Sequence, residues 1–151
     1  MVGIPYTFLQ IGSEGQKVVP ELQAALDLWS SHTGKQVQLI HKGMNNLTEM
    51  YSAVRAEVPL AADPATDTNV PFVQELAKST KLVVCGEALS HCVNYTTRDV
   101  LENWKDRSPA DIILLKDAAS AVPGCDAAAE QFINDMVAAG VTVITTNALF
   151  A

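Results

Sequence analysis

Cysteine is scarce in this chain. Three cysteines in 151 residues cannot complete a disulfide framework, and nothing around them resembles a small secreted scaffold. Basic residues are outnumbered: ten Lys and Arg stand against seventeen Asp and Glu, for a formal charge of −7. That balance argues against nucleic acid and against an anionic membrane as partners, because both reward positive charge. No apolar run approaches the length of a membrane span, and no basic stretch followed by an apolar one opens the chain. A cytoplasmic, reducing compartment is the resulting expectation. Histidine is limited to His32, His41 and His91. These have no metal-ligand spacing, so neither a metal nor another cofactor is expected. There is no internal repeat and no low-complexity tract.

What is present suits a globular protein with a buried core. Hydrophobic residues make up 48% of the chain, and its length suggests one domain over residues 1–151. Residues 18–31 read as a helix: Pro20 suits a first turn, Leu22, Ala25, Leu26 and Trp29 share a face, and Gly34 is a stop. Residues 37–41 read as a short strand and residues 46–53 as a short helix. Residues 60–69, with Pro59 just before them and Pro64, Asp and Thr among them, read as a loop. A helix over residues 71–78, capped from Thr68 or Asn69, follows. Residues 82–84 form an apolar run expected to be a strand buried on both faces. Residues 90–105 read as a helix with Val93, Thr97, Val100, Leu101 and Trp104 inward. A second buried strand at residues 112–115, a helix at 126–139 and a last strand at 141–145 complete the pattern. Alternating strand and helix calls for parallel βαβ units, hence an α/β fold with helices flanking a parallel sheet in three layers. Sites in such sheets lie at the carboxyl ends of strands. Lys42, Gly86 and Asp117 each fall just past an expected strand.

The segment around Cys92 carries the chemistry. It reads as strand, Gly-containing turn, then a helix with Cys92 in its first turn. A helix start offers unpaired N–H groups and the positive end of the macrodipole. Such a place favours the reactive thiolate of a cysteine and can also hold an oxyanion. The bland alternative is a cysteine packed as a small hydrophobe. Cys85, inside the apolar strand, is assigned to the core on that ground. Cys125, after Pro123 and Gly124, is read as partly exposed and incidental. His91 adjoins Cys92, but successive helix residues do not face each other, so it is not assigned as a base.

Gly86-Glu87-Ala88-Leu89-Ser90-His91-Cys92-Val93 resembles the nucleophile segment of the isochorismatase-like cysteine hydrolases, which include the nicotinamidases. The likeness continues through Thr96, Thr97, Asp99, Val100 and Leu101. It extends into Ile113-Leu114-Leu115-Lys116-Asp117-Ala118 and into Ala138-Ala139-Gly140-Val141-Thr142-Val143. Upstream, His41-Lys42-Gly43 with Tyr51-Ser52 resembles the block carrying that family's lysine. The resemblance implies Cys92 as nucleophile, Lys42 as its cationic support, and the N–H groups of Ala88 and Cys92 as oxyanion hole. It also implies a cis peptide at Glu87-Ala88 and a small amide as substrate. Tyr51 is placed either against that substrate or in packing. The family's aspartate and metal ligands have no counterpart before Lys42, and Asp63, Asp67 and Asp117 do not match the aspartate's position. The chain therefore reads as the C-terminal portion of such a domain, lacking its first strands. Its expected activity is an impaired cysteine-dependent amide hydrolysis. The alternatives are a non-catalytic remnant that binds a small molecule or a partner protein, and a redox-active thiol protein. Open sheet edges left by the missing strands lead to a further expectation, a homo-oligomer.

Overall fold

The computed structural model describes residues 12–151. Residues 1–11 lie outside the described residues. Two units are distinguished, divided between Leu39 and Ile40.

In the first unit, helix α1 spans Pro20–Thr33. Pro20 stands at its start, where a missing N–H costs nothing. Gly34 ends it in a left-handed conformation, donating its N–H to the Ser30 carbonyl at 2.9 Å. None of its residues is buried.

The second unit carries a parallel sheet of three strands in the order β1-β2-β3. Strand β1 is Leu82–Val84, β2 is Ile112–Leu115 and β3 is Thr142–Ile144. Leu82 lies opposite Ile112, and Ile113 lies opposite Thr142. Helix α2 (Val70–Leu76) precedes β1, α3 (Cys92–Glu102) links β1 to β2, and α4 (Asp126–Ala138) links β2 to β3. A short α5 (Thr146–Leu149) follows. The element order therefore matches the alternation expected from residue 70 onward.

The local signals act as their chemistry predicts. The Asn69 side chain accepts from the Phe72 N–H and caps α2. Helix α4 closes through Gly140, whose φ of +87° few side chains tolerate. There the Gly140 N–H reaches the Val137 carbonyl and the Val141 N–H reaches that of Met136, the paired bonds of a Schellman ending. Central strand β2 is buried at every position. Around it pack Val93, Val100 and Trp104 of the α3 region and Ala129, Phe132 and Met136 of α4. The inner face expected for α3 is the observed one. Arg107 ties the end of α2 to this core: its guanidinium donates to the carbonyls of Ala77, Ser79 and Thr80 and lies 4.6 Å from the Trp104 ring centre.

Several expectations fail, each for a physical reason. Residues 37–41 form no strand. A strand needs a ladder partner, and no described strand pairs with this segment. Lys42 therefore does not follow a strand. Residues 46–53 form turns rather than a helix. The Leu47 N–H bonds the Asn45 side chain, the Thr48 hydroxyl bonds the Val58 carbonyl, and the Ala53 N–H bonds the Thr96 hydroxyl. These bonds replace the helical ladder. Strand β1 is not buried on both faces. It pairs on one side only, and Val83 remains 42% exposed. Cys85, just beyond it, is exposed and not in the core.

Candidate active site

Cys92 is the first residue of α3. The chain reaches it from β1 through Gly86, which has φ +115°. The Gly86 N–H is bonded to the Ala118 carbonyl and the Leu89 N–H to that of Ser120. The turn is thus pinned to the segment after β2. The peptide between Glu87 and Ala88 is cis, as the resemblance implies. Among the described residues, the N–H groups of Ala88 and Cys92 donate to no protein acceptor. Both can therefore receive a ligand oxygen.

Lys42 arrives by a different route from the one expected. Residues 50–56 run alongside α3. Ser52, Val54 and Ala56 alternate inward, with 1%, 0% and 2% exposure. The Ala53 N–H donates to the Thr96 hydroxyl at 3.0 Å. Arg55 meets Asp99 at 2.9 Å and Glu102 at 3.1 Å. The nearly buried Asp99 is the chief reason the guanidinium is held still more firmly in its charged form. This clamp sets the start of the segment against the start of α3. The Met50 carbonyl then accepts from Lys42 Nζ at 2.7 Å, and that ammonium lies 3.5 Å from Cys92 Sγ. Fifty positions of sequence separate the two side chains. Sequence pattern placed them together, and the structure brings them together.

Tyr51, next along the clamp, has its ring centre 5.5 Å from that of His91 and 5.3 Å from that of Tyr95. It forms an aromatic wall beside the helix start. His91 precedes α3, whereas the sequence pattern puts it within the helix, and its ring meets Ser90 Oγ at 2.8 Å. The three acids set aside in the sequence are engaged elsewhere. Asp63 accepts from Asn45 at 2.7 Å, and Asp67 accepts from the Thr68 N–H. Asp117 accepts both the N–H and the hydroxyl of Thr146 at 2.8 Å. The Thr146 hydroxyl is the main cause that holds the Asp117 carboxyl below its usual range.

A recess of about 290 Å³ opens beside this pair, lined by Ile40, Lys42, Val84, Cys85, Glu87 and Cys92 among others. Sequence reasoning missed Cys85 and Glu87 as members. The sequence carries no signal for them, because their exposure follows from the edge position of β1, which an apolar run does not reveal. Glu87 is the carboxylate on this wall, and it is bound to Ser120 at 2.7 Å. A larger recess of about 840 Å³ lies on the first unit, among Leu26, Trp29, Lys35 and Val37. It holds no nucleophile, so size alone does not locate the chemistry. No group of three or more His, Cys, Asp or Glu that could hold a metal occurs among the described residues.

The arrangement of sheet and helices is similar to that of a solved nicotinamidase. The yeast nicotinamidase Pnc1p aligns with 85% of this chain and 52% of its own, at a TM-score of 0.60 and 16% identity. Its fold is nicotinamidase-related. A nicotinamidase and pyrazinamidase of Acinetobacter baumanii aligns with 68% of this chain and 44% of its own, at a TM-score of 0.49 and 22% identity. The chain thus spans about half the length of the solved structures it matches. No protein-family model matches the chain, and no curated protein does. What is shared at these identities is the isochorismatase-like fold, and within it this chain places a lysine against a cysteine at a helix start.

Proposed function

We propose that the chain is a cysteine-dependent hydrolase of a small amide, slow because, among the described residues, the carboxylate that shares the recess of its nucleophile, Glu87, is bound to Ser120. The observation that carries this reading is the 3.5 Å approach of Lys42 Nζ to Cys92 Sγ. An ammonium there offers a counter-charge to the sulfur and to the oxyanion that forms next to it. In this scheme the sulfur attacks the amide carbonyl, and the carbonyl oxygen becomes an oxyanion received by the N–H groups of Ala88 and Cys92. Collapse expels the amine and leaves a thioester on Cys92, which water then cleaves to the acid. Tyr51 offers the substrate an apolar face. Each half of the cycle needs a proton moved, and Glu87 is occupied by Ser120. Loss of one member of a cooperating catalytic set commonly costs several orders of magnitude in rate.

The engaged state of every nearby carboxylate also favours a second reading, a non-catalytic module that binds a small molecule or a partner through the same recess. Ammonia release from nicotinamide and a panel of other primary amides separates the two. The expected result is turnover well below the roughly 1 s⁻¹ of ordinary enzymes, abolished by Cys92→Ala. Absence of any Cys92-dependent release, together with saturable amide binding, would establish the module instead.

A further inference from the structure

Cys85 plays no part in that chemistry, yet it is exposed and lines the same recess of about 290 Å³ as Cys92. The six residues between them, Gly86 to His91, are pinned to the segment after β2 by the bonds to Ala118 and Ser120. The end of β1 and the start of α3 both line the recess, with a thiol on each. Lys42 lines the recess too, 3.5 Å from Cys92 Sγ. The third cysteine, Cys125, is outside the recess, just before α4. From this juxtaposition we infer that Cys92 and Cys85 form a peroxide-responsive thiol pair, Cys92 being the thiol oxidised and Cys85 the thiol that resolves it.

The chemistry balances with a hydroperoxide as the oxidant. The Cys92 sulfur attacks the terminal peroxide oxygen. An S–O bond forms, the O–O bond breaks, and the other oxygen leaves as water or an alcohol with a proton from the neighbouring Lys42 ammonium, which the proton lost by the Cys92 thiol restores. Sulfur has lost two electrons and is a sulfenic acid. The Cys85 sulfur then attacks the Cys92 sulfur. An S–S bond forms, the S–O bond breaks, and the hydroxide leaves as water with the Cys85 proton. The sum is two thiols and one peroxide giving a disulfide, one alcohol or water, and one water. A dithiol reductant reverses it. While oxidised, Cys92 cannot act as a nucleophile. Resolution by Cys85 also protects it from irreversible over-oxidation.

Trypsin leaves both cysteines on one peptide, Leu82 to Arg98, bounded by Lys81 and Arg98. The reduced full chain is treated with hydrogen peroxide, alkylated with iodoacetamide after denaturation, and analysed by mass spectrometry. In the wild type this peptide is expected to lose two hydrogen masses and take up no label, reversibly with dithiothreitol and independently of protein concentration. In Cys85→Ser, Cys92 is expected to accumulate as a sulfenic acid trapped by dimedone. Lys42→Met is expected to slow the oxidation at least about fivefold, the equivalent of the ~1 kcal/mol between close charges even in water. Over-oxidised Cys92 beside a free Cys85, a bridge to Cys125, a cross-linked dimer, or no oxidation at all would each overturn the pair. These readouts need no turnover, so their outcome is distinct from that of the amidase assay.

Discussion

The ammonium of Lys42 separates Cys92 from the other two thiols. Exposure does not rank the cysteines, because Cys85 is the more open of the recess pair. The charge contact at 3.5 Å does. Iodoacetamide is therefore expected to label Cys92 first in the folded protein. Lys42→Met should slow that labelling at least about fivefold, on the ~1 kcal/mol scale of close charges in water, and leave Cys125 unchanged. Peptide mapping of the labelled chain checks this, and first labelling at Cys85 would remove the role given to Lys42. Asp117 offers a pH test. Its carboxyl is held low chiefly by the Thr146 hydroxyl. The stability it contributes is thus fully present above its unfolded value near 3.8 and fades as pH falls through the lower folded value. Asp117→Asn should lower the urea midpoint at neutral pH, and the gap to wild type should close at the acid end. A gap that persists unchanged below that range would show that the carboxylate charge is not what holds Thr146.

Outside the regular elements, the run of residues 50–56 matters most, because it carries Lys42's anchor along α3. Arg55 has two acidic partners, and their burial decides which counts. Asp99 is 7% exposed, whereas the side chain of Glu102 is 64% exposed. Removing Arg55 strands a buried carboxylate, which costs about 1–3 kcal/mol. Removing Glu102 deletes a solvated partner, with an effect within about 0.5 kcal/mol. Urea denaturation of Arg55→Ala and Glu102→Ala is expected to show that order. Equal losses would mean that the clamp does not rest on Asp99. Helices α2, α3 and α4 and the strands were legible in the sequence because their signals are local: Asn69 as a cap, Gly140 as a stop, apolar runs at residues 82–84 and 112–115. Residues 46–53 were not. Their side chains and N–H groups spend their hydrogen bonds on Asn45, Val58 and Thr96, and no window of sequence shows a partner as far away as Thr96.

At the scale of the second unit, the sheet is open at both β1 and β3. Among the described residues the outward N–H and C=O groups of β1 have no ladder partner, and Val83 is 42% exposed. Such an edge invites pairing with another strand. Light scattering at micromolar concentration is expected to find a homo-oligomer, and Val83→Lys is expected to dissociate it. A wild-type monomer that persists at that concentration would refute the assembly. The same edge marks the boundary between what sequence and tertiary structure decide. Sequence by itself determined a helix beginning near Cys92, the caps and stops, and the alternation of apolar strands with amphipathic helices from residue 70 onward, while a family resemblance implied the pairing of Lys42 with Cys92. Only the tertiary structure decided that residues 37–41 stay unpaired, that β1 is an edge strand, and that Cys85 opens onto the recess. An apolar strand reads the same whether one neighbour or two will hydrogen-bond to it. Burial depends on those neighbours, and they are supplied by chain folded from elsewhere.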